Sequence, residues 1–185
     1  MTLSFKHLTL HKPAQLRASS PGLRQIGTAT ATAAPAALAL DLLVGARHAA
    51  LAVIDPGSGT PGISRIALGL DPDGLPLSLI STLARHTAAL RANPAAALMV
   101  GEPGPRGDPL THPRLMIEVR ASFPDRTAPD YALLAGHWLD RHPKAKLYID
   151  FTDFALVRLT PVAALLNGGF GKAFRLTPDD LRPAQ

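Results

Sequence analysis

The run Asp71-Pro72-Asp73-Gly74 constrains this chain more than any other, because it reverses the backbone between two segments that both alternate with the period of a strand. Upstream, residues 63–70 put Ile66, Leu68 and Leu70 on one face and Arg65 on the other. Downstream, residues 75–82 form the partner strand and end in Ser81-Thr82. A helix then opens at Arg85-His86-Thr87 and is stopped by Asn93-Pro94. One hairpin therefore brings together an arginine turned away from the core, several hydroxyls and a helix N-terminus. These are the donors a phosphate dianion needs, a bidentate cationic fork plus short hydrogen-bond donors. We read the segment as the phosphate-end site of a cofactor.

The rest of the chain breaks into short elements. A first helix starts at Pro35, carries Leu38, Leu42, Leu43 and Ala46 on one face, and finishes at Arg47-His48. Strands are expected over 49–54, 95–102 and 114–123, with two or three more between 147 and 176. Between them lie a Pro/Gly-rich loop at 101–113 and an amphipathic helix over 129–142, with Tyr131, Leu134, Trp138 and Leu139 on one side. Thr177-Pro178-Asp179-Asp180 caps a last short helix. Many short strands, isolated helices and no βαβ alternation predict a mainly β (α+β) fold, a six-stranded antiparallel barrel with peripheral helices. Residues 1–34, rich in Ser, Thr and Ala, are expected to be a flexible arm, and 35–185 a single domain.

Composition narrows the function. The formal charge of +5 owes most to Lys6, Lys12, Arg17 and Arg24, in a stretch without acids; without them 15 Lys/Arg face 14 Asp/Glu. The expected domain is nearly neutral and has two Tyr and one Trp, so neither an electrostatic footprint nor a stacking platform for nucleic acid is expected. With no cysteine, zinc–thiolate sites, iron–sulfur clusters and thiol nucleophiles are excluded. Arg47 and His48 interrupt the longest apolar run before it reaches the ~18 residues of a membrane span, and the expectation is a soluble, cytoplasmic protein. Other candidate sites are poor. His137 and His142 are five apart and do not stack on one helical face; Asp108 and His112 share a mobile-looking loop; His48 serves as a helix terminator. Gly168-Gly169-Phe170-Gly171 is a tight bend rather than a phosphate loop. No nucleophile elbow occurs, so no catalytic side chain and no metal site are assigned.

Six short motifs fall in one order: Ala-Arg-His-Ala-Ala-Leu-Ala (46–52), Ser-Arg-Ile-Ala-Leu (64–68), Leu-Ala-Arg-His-Thr-Ala-Ala-Leu-Arg-Ala-Asn-Pro (83–94), His-Pro-Arg-Leu (112–115), Arg-His-Pro-Lys-Ala (141–145) and Gly-Gly-Phe-Gly-Lys-Ala (168–173). Over about 46–182 the chain resembles the pyridoxamine 5'-phosphate oxidase-like, FMN-binding split-barrel proteins, in particular the branch related to haem-utilisation proteins of the HugZ type. The resemblance implies a split barrel that forms a homodimer with FMN at its interface. It makes Arg65 the phosphate fork and Ser81, Thr82, His86 and Thr87 the surrounding donors, with the backbone of Ile66, Ala67 and Ile80 along the ring and ribityl chain. A flavin-dependent oxidoreductase acting on a small substrate follows, the flavin doing the electron transfer. Two alternatives go with it. Haem binding is one; some relatives ligate haem through a histidine in a C-terminal domain, and no histidine follows His142 here. A cofactor-free binding module is the other, since Ala89 and Val119 stand where related proteins often have Asn and Gly.

Overall fold

The computed structural model describes residues 33–182. The arm expected over 1–34 lies outside the described residues, except for Ala33 and Ala34, which open the first helix. The element order is α1 (Ala33–Gly45), β1 (His48–Ile54), β2 (Pro61–Ala67), β3 (Gly69–Leu70), β4 (Pro76–Ser81), α2 (Arg85–Ala92), β5 (Ala95–Val100), β6 (Arg114–Ser122), α3 (Tyr131–Arg141), β7 (Phe154–Asn167) and β8 (Ala173–Leu176), with short 3-10 turns at Pro109–Thr111, Pro143–Leu147 and Pro178–Leu181.

All strand pairs are antiparallel, in the order β2-β1-β5-β6-β7-β4-β3 with β8 added to β7. Because β2 runs through Leu68 into β3, the two ends of this path are joined by one residue, and the sheet wraps into a split barrel. Eight strands form where six were expected, and β3 and β8 are short. Within 147–176, where two or three strands are expected, Phe154–Asn167 forms a single fourteen-residue strand, β7. It crosses the barrel corner by a register shift opposite Glu118/Val119, where Pro161, which has no N–H to give the ladder, sits.

Two apolar layers hold the fold. Leu51, Ile66, Leu68, Ile80, Leu98, Ile117, Val157, Leu159 and Leu166 fill the barrel interior, with Ala39 and Leu43 of α1 and Ala89 and Leu90 of α2 closing it. On the outside of β4 and the start of β7, Leu77, Leu79 and Leu156 pack under Leu134 and Trp138 of α3. That helix covers this part of the barrel and the adjoining β3, where Trp138 lies against Gly69. The outer faces of β2, β1, β5 and β6 are left without a helix over them among the described residues.

The expected turn forms as read. Asp71 is buried, and its Oδ1 accepts the backbone N–H groups of Asp73 and Leu75 at 2.9 Å each, while Oδ2 accepts from Arg158 Nε at 2.9 Å. His48 differs from expectation. It opens β1 instead of ending α1, because helical backbone stops at Gly45.

Candidate functional site

The register of the sheet fixes what the open face presents. Arg65 of β2 is opposite Ala50 of β1, which is opposite Met99 of β5, then Met116 of β6, Leu165 of β7 and Arg175 of β8. The next row on the same face is Ile63, Ala52, Ala97, Glu118 and Ala163. Ile63 is 77% exposed, Met99 49% and Met116 36%, so an apolar strip several strands wide faces outward with an arginine at either edge. A groove of about 270 Å³ runs along it, walled by Ala50, Ile63, Arg65, Met99, Val100 and Pro103. Arg65 is exposed, and its guanidinium has no hydrogen-bond or ion-pair partner among the described residues.

The residues read as companions of Arg65 lie in other settings. Ile66 and Ile80 are buried in the barrel interior, and the Ala67 carbonyl accepts the Ser78 hydroxyl at 2.7 Å. Ser81 and Thr87 are together: Thr87 Oγ1 donates to the Ser81 carbonyl at 2.6 Å and is buried, while Ser81 Oγ accepts the Leu83 N–H at 3.2 Å. Thr82 is exposed and joins its backbone N–H to the Asp153 carbonyl. His86 faces a second groove, of about 250 Å³, with Thr60, Ile63, Ser64 and the ion pair of Arg85 with Asp55, whose charged atoms are 3.0 Å apart. Ile63 and Ser64 line both grooves, whereas Ser81, Thr82 and Thr87 line neither.

Electrostatics follow burial. The Ser58 N–H, and next the Arg85 guanidinium, hold the Asp55 carboxyl down at about 2. Burial alone lowers the His86 pKa, and its Nε2 is enclosed without a hydrogen-bond partner among the described residues. No group of three metal-ligating side chains is assembled among the described residues. Asp108 and His112 organise their own loop: Asp108 Oδ1 accepts the Leu110 N–H, and the His112 ring meets Gly104 N and the Arg106 carbonyl. The Gly168–Gly171 bend carries Phe170 at 92% exposure.

No family model matches the sequence. Relatives do. Heme oxygenase HutZ of Vibrio cholerae is 30% identical over 136 residues, 71% of this chain and 74% of HutZ. The chain belongs to the HutZ/HugZ-type family. The chloroplastic non-canonical heme oxygenase HOZ of Arabidopsis thaliana is 32% identical over 116 residues, 63% of this chain, which spans about a third (34%) of HOZ. Among solved structures, a heme binding protein of Mycobacterium smegmatis shares 26% identity with a TM-score of 0.70, over 83% of this chain and 61% of that one. A protein related to general stress protein 26, of the pyridoxinephosphate oxidase family, from Clostridium acetobutylicum is 15% identical with a TM-score of 0.61, over 82% and 99%, and shows the shared split-barrel fold.

These relatives overturn the expectation of FMN. The heme oxygenases HutZ and HOZ, which match 71% and 63% of this chain, and the heme binding protein of Mycobacterium smegmatis, which matches 83% of it, all carry haem in their names. The physical reason for the error is that a guanidinium on an apolar face serves a carboxylate as well as a phosphate. Nothing in the hairpin or the following helix selects between the two anions. No helix among the described residues is long and apolar enough to cross a membrane.

Proposed function

We propose that this chain is a haem-binding protein of haem utilisation, and that it holds haem against the open face of β2, β1, β5 and β6. The relationship with HutZ, 30% identity over 136 residues, is the observation that carries the proposal. The donor chemistry of the face agrees with it. Haem is a flat apolar ring edged by two carboxylates, and here an apolar strip of Ala50, Ile63, Met99 and Met116 is bordered by the exposed cation of Arg65, which has no ion-pair partner among the described residues. Arg65 would take a carboxylate by a charge-assisted fork, while the strip excludes water from the ring. Bound haem would supply an iron centre; the protein would orient the ring and shield it.

One chain walls only part of such a ligand. Drug-sized ligands sit in pockets of roughly 300–1,000 Å³, and the groove beside Arg65 falls short of this at about 270 Å³. A second copy laid on the same open face would close the site and cover the exposed strip, so the proposal includes a homodimer.

Titration of the purified chain with hemin, followed by absorption, tests this reading. A saturable Soret band that survives desalting is expected. Arg65→Ala should weaken binding about tenfold or more, the scale of one lost charge-assisted partner. Protein that leaves the desalting column colourless would refute haem binding.

A further inference from the structure

We infer that Met99 and Met116 form a peroxide-sensitive modification site, whose oxidation to sulfoxides separates paired copies of the chain and weakens haem binding, an inference that rests on the haem reading above. Met99 of β5 is directly opposite Met116 of β6. Their strand neighbours Leu98, Val100, Leu115 and Ile117 are buried in the barrel interior, so alternation turns both thioethers outward. Directly opposed side chains on one face have Cβ atoms about 4.5–5.5 Å apart, which makes the two sulfurs members of one patch. Met99 also walls the groove beside Arg65.

The composition of the chain directs an oxidant to this pair. There is no cysteine, and of three methionines Met99 and Met116 are the ones among the described residues. With no thiol to react first, a peroxide meets these thioethers, which are 49% and 36% exposed, whereas Trp138 is buried. A sulfur lone pair attacks one oxygen of hydrogen peroxide and the O–O bond breaks. The sulfur loses two electrons and keeps that oxygen, while the departing hydroxide takes its proton and leaves as water. The product is a sulfoxide, which thiol-dependent reductases return to the thioether.

The surroundings make the change consequential. A sulfoxide is polar and accepts hydrogen bonds, but the flanking positions Ala50, Leu165, Ala97 and Ala163 have no side-chain donor. Glu118, next on β6, is a carboxylate that only accepts, and Arg114, two residues before Met116, gives Nη1 to the Leu110 carbonyl. A second copy laid on the strip brings the same residues again, so a covered sulfoxide is a buried acceptor without a partner. Paired copies shield the thioethers and oxidised copies do not pair, so each state preserves itself.

The experiment treats the full, haem-free chain with hydrogen peroxide, removes the oxidant by desalting, and compares treated with untreated protein by peptide mass spectrometry, sedimentation and hemin titration. Both methionines are expected to gain one oxygen. Association should weaken about tenfold or more, the scale of one buried acceptor left without a donor, and hemin affinity should fall with it. The two methionine sulfoxide reductases, one for each epimer, should restore both readings when supplied with a thiol reductant. Met99→Leu combined with Met116→Leu leaves no thioether on the strip, so its association and hemin affinity should be the same before and after peroxide. If that chain does not fold, the two single variants take its place, each expected to respond more weakly than the unsubstituted chain. Met99→Gln, polar and uncharged, should weaken association with no oxidant present. Methionines that stay unmodified, or sulfoxides that leave association and hemin affinity unchanged, overturn the modification site while leaving haem binding intact. A doubly substituted chain that loses as much as the unsubstituted one on treatment places the effect elsewhere and overturns it too. An untreated chain that pairs but binds no hemin overturns the haem reading, and sedimentation then decides the modification site; one that neither pairs nor binds hemin overturns both.

Discussion

At the scale of single residues, shape and charge make separate demands. Gly69 is where β3 passes close under α3: a Cβ there would meet Trp138 Cζ3 at 3.2 Å and Cε3 at 3.3 Å, with His142 Nε2 at 3.6 Å. Trp138 is buried and stacked on His142 with ring centroids 4.1 Å apart, so it has little room to give. Gly69→Ala is expected to destabilise the fold by about 1–3 kcal/mol, measured as a lower urea midpoint at unchanged slope. The same cluster gives the fold a pH dependence. Burial, and after it the nearby charges of Arg47 and Arg141, lower the His142 pKa from its ordinary 6.5, against the Leu68 carbonyl, which raises it. Above 6.5 the ring is neutral in folded and unfolded chains alike. Below it the unfolded chain takes up the proton first, so stability falls as the pH drops from 6.5 toward the lower folded value. His86, shifted the same way by burial, adds to the fall. Urea midpoints that are flat above about pH 7 and decline toward about pH 5 are expected; His142→Gln should make the decline shallower.

At the scale of elements, the connection into β7 depends on one side chain. Arg126 donates from Nη2 to the carbonyls of Ile149, Phe151 and Phe154 at 2.9, 2.8 and 2.7 Å, and its Nη1 reaches Asp150. Arg126→Ala should cost about 1–3 kcal/mol and speed hydrogen exchange at the Phe151 and Phe154 amides, whose bonds form that turn. An exchange map unchanged around 148–154 would show that the turn holds itself. None of this was legible in the sequence, because Arg126 acts on backbone carbonyls, which carry no residue code. The hairpin was legible, since Asp71 serves the turn through its own side chain, a short-range chemistry that sequence records. The length of β7 was not: Pro161 reads as a strand end, yet the register shift opposite Glu118/Val119 accommodates it. The face of Arg65 followed from alternation alone. Its ligand did not, because residue type specifies a cation and not which anion meets it. His48 was misplaced for a related reason, as a cationic residue after an apolar helix matches a helix end and a strand start equally well.

At the scale of the molecule, the question is what covers the strip of Ile63, Met99 and Met116. Helix α3 shields the outside of β4 and the start of β7, and α1 and α2 close the interior, so the strip remains the broad apolar surface of the described chain. Exposed patches of this kind mark association sites. A two-fold axis through the strip would set each residue against the same surface of its partner and bring two Arg65 side chains to opposite rims of one cleft. Met99 lies in the middle of its row, between Ala50 and Met116, which makes it the position where a charge does most harm. Met99→Lys would place two ammonium groups in a desolvated centre at a cost of several kcal/mol, which weakens association by roughly 100-fold or more. Sedimentation should then show a monomer at concentrations where the unsubstituted chain is a dimer, with hemin affinity falling in parallel because each chain walls only half of the cleft. A Met99→Lys protein that remains dimeric would place the interface on another surface. One that becomes monomeric yet binds hemin with full affinity would show that a single chain completes the site.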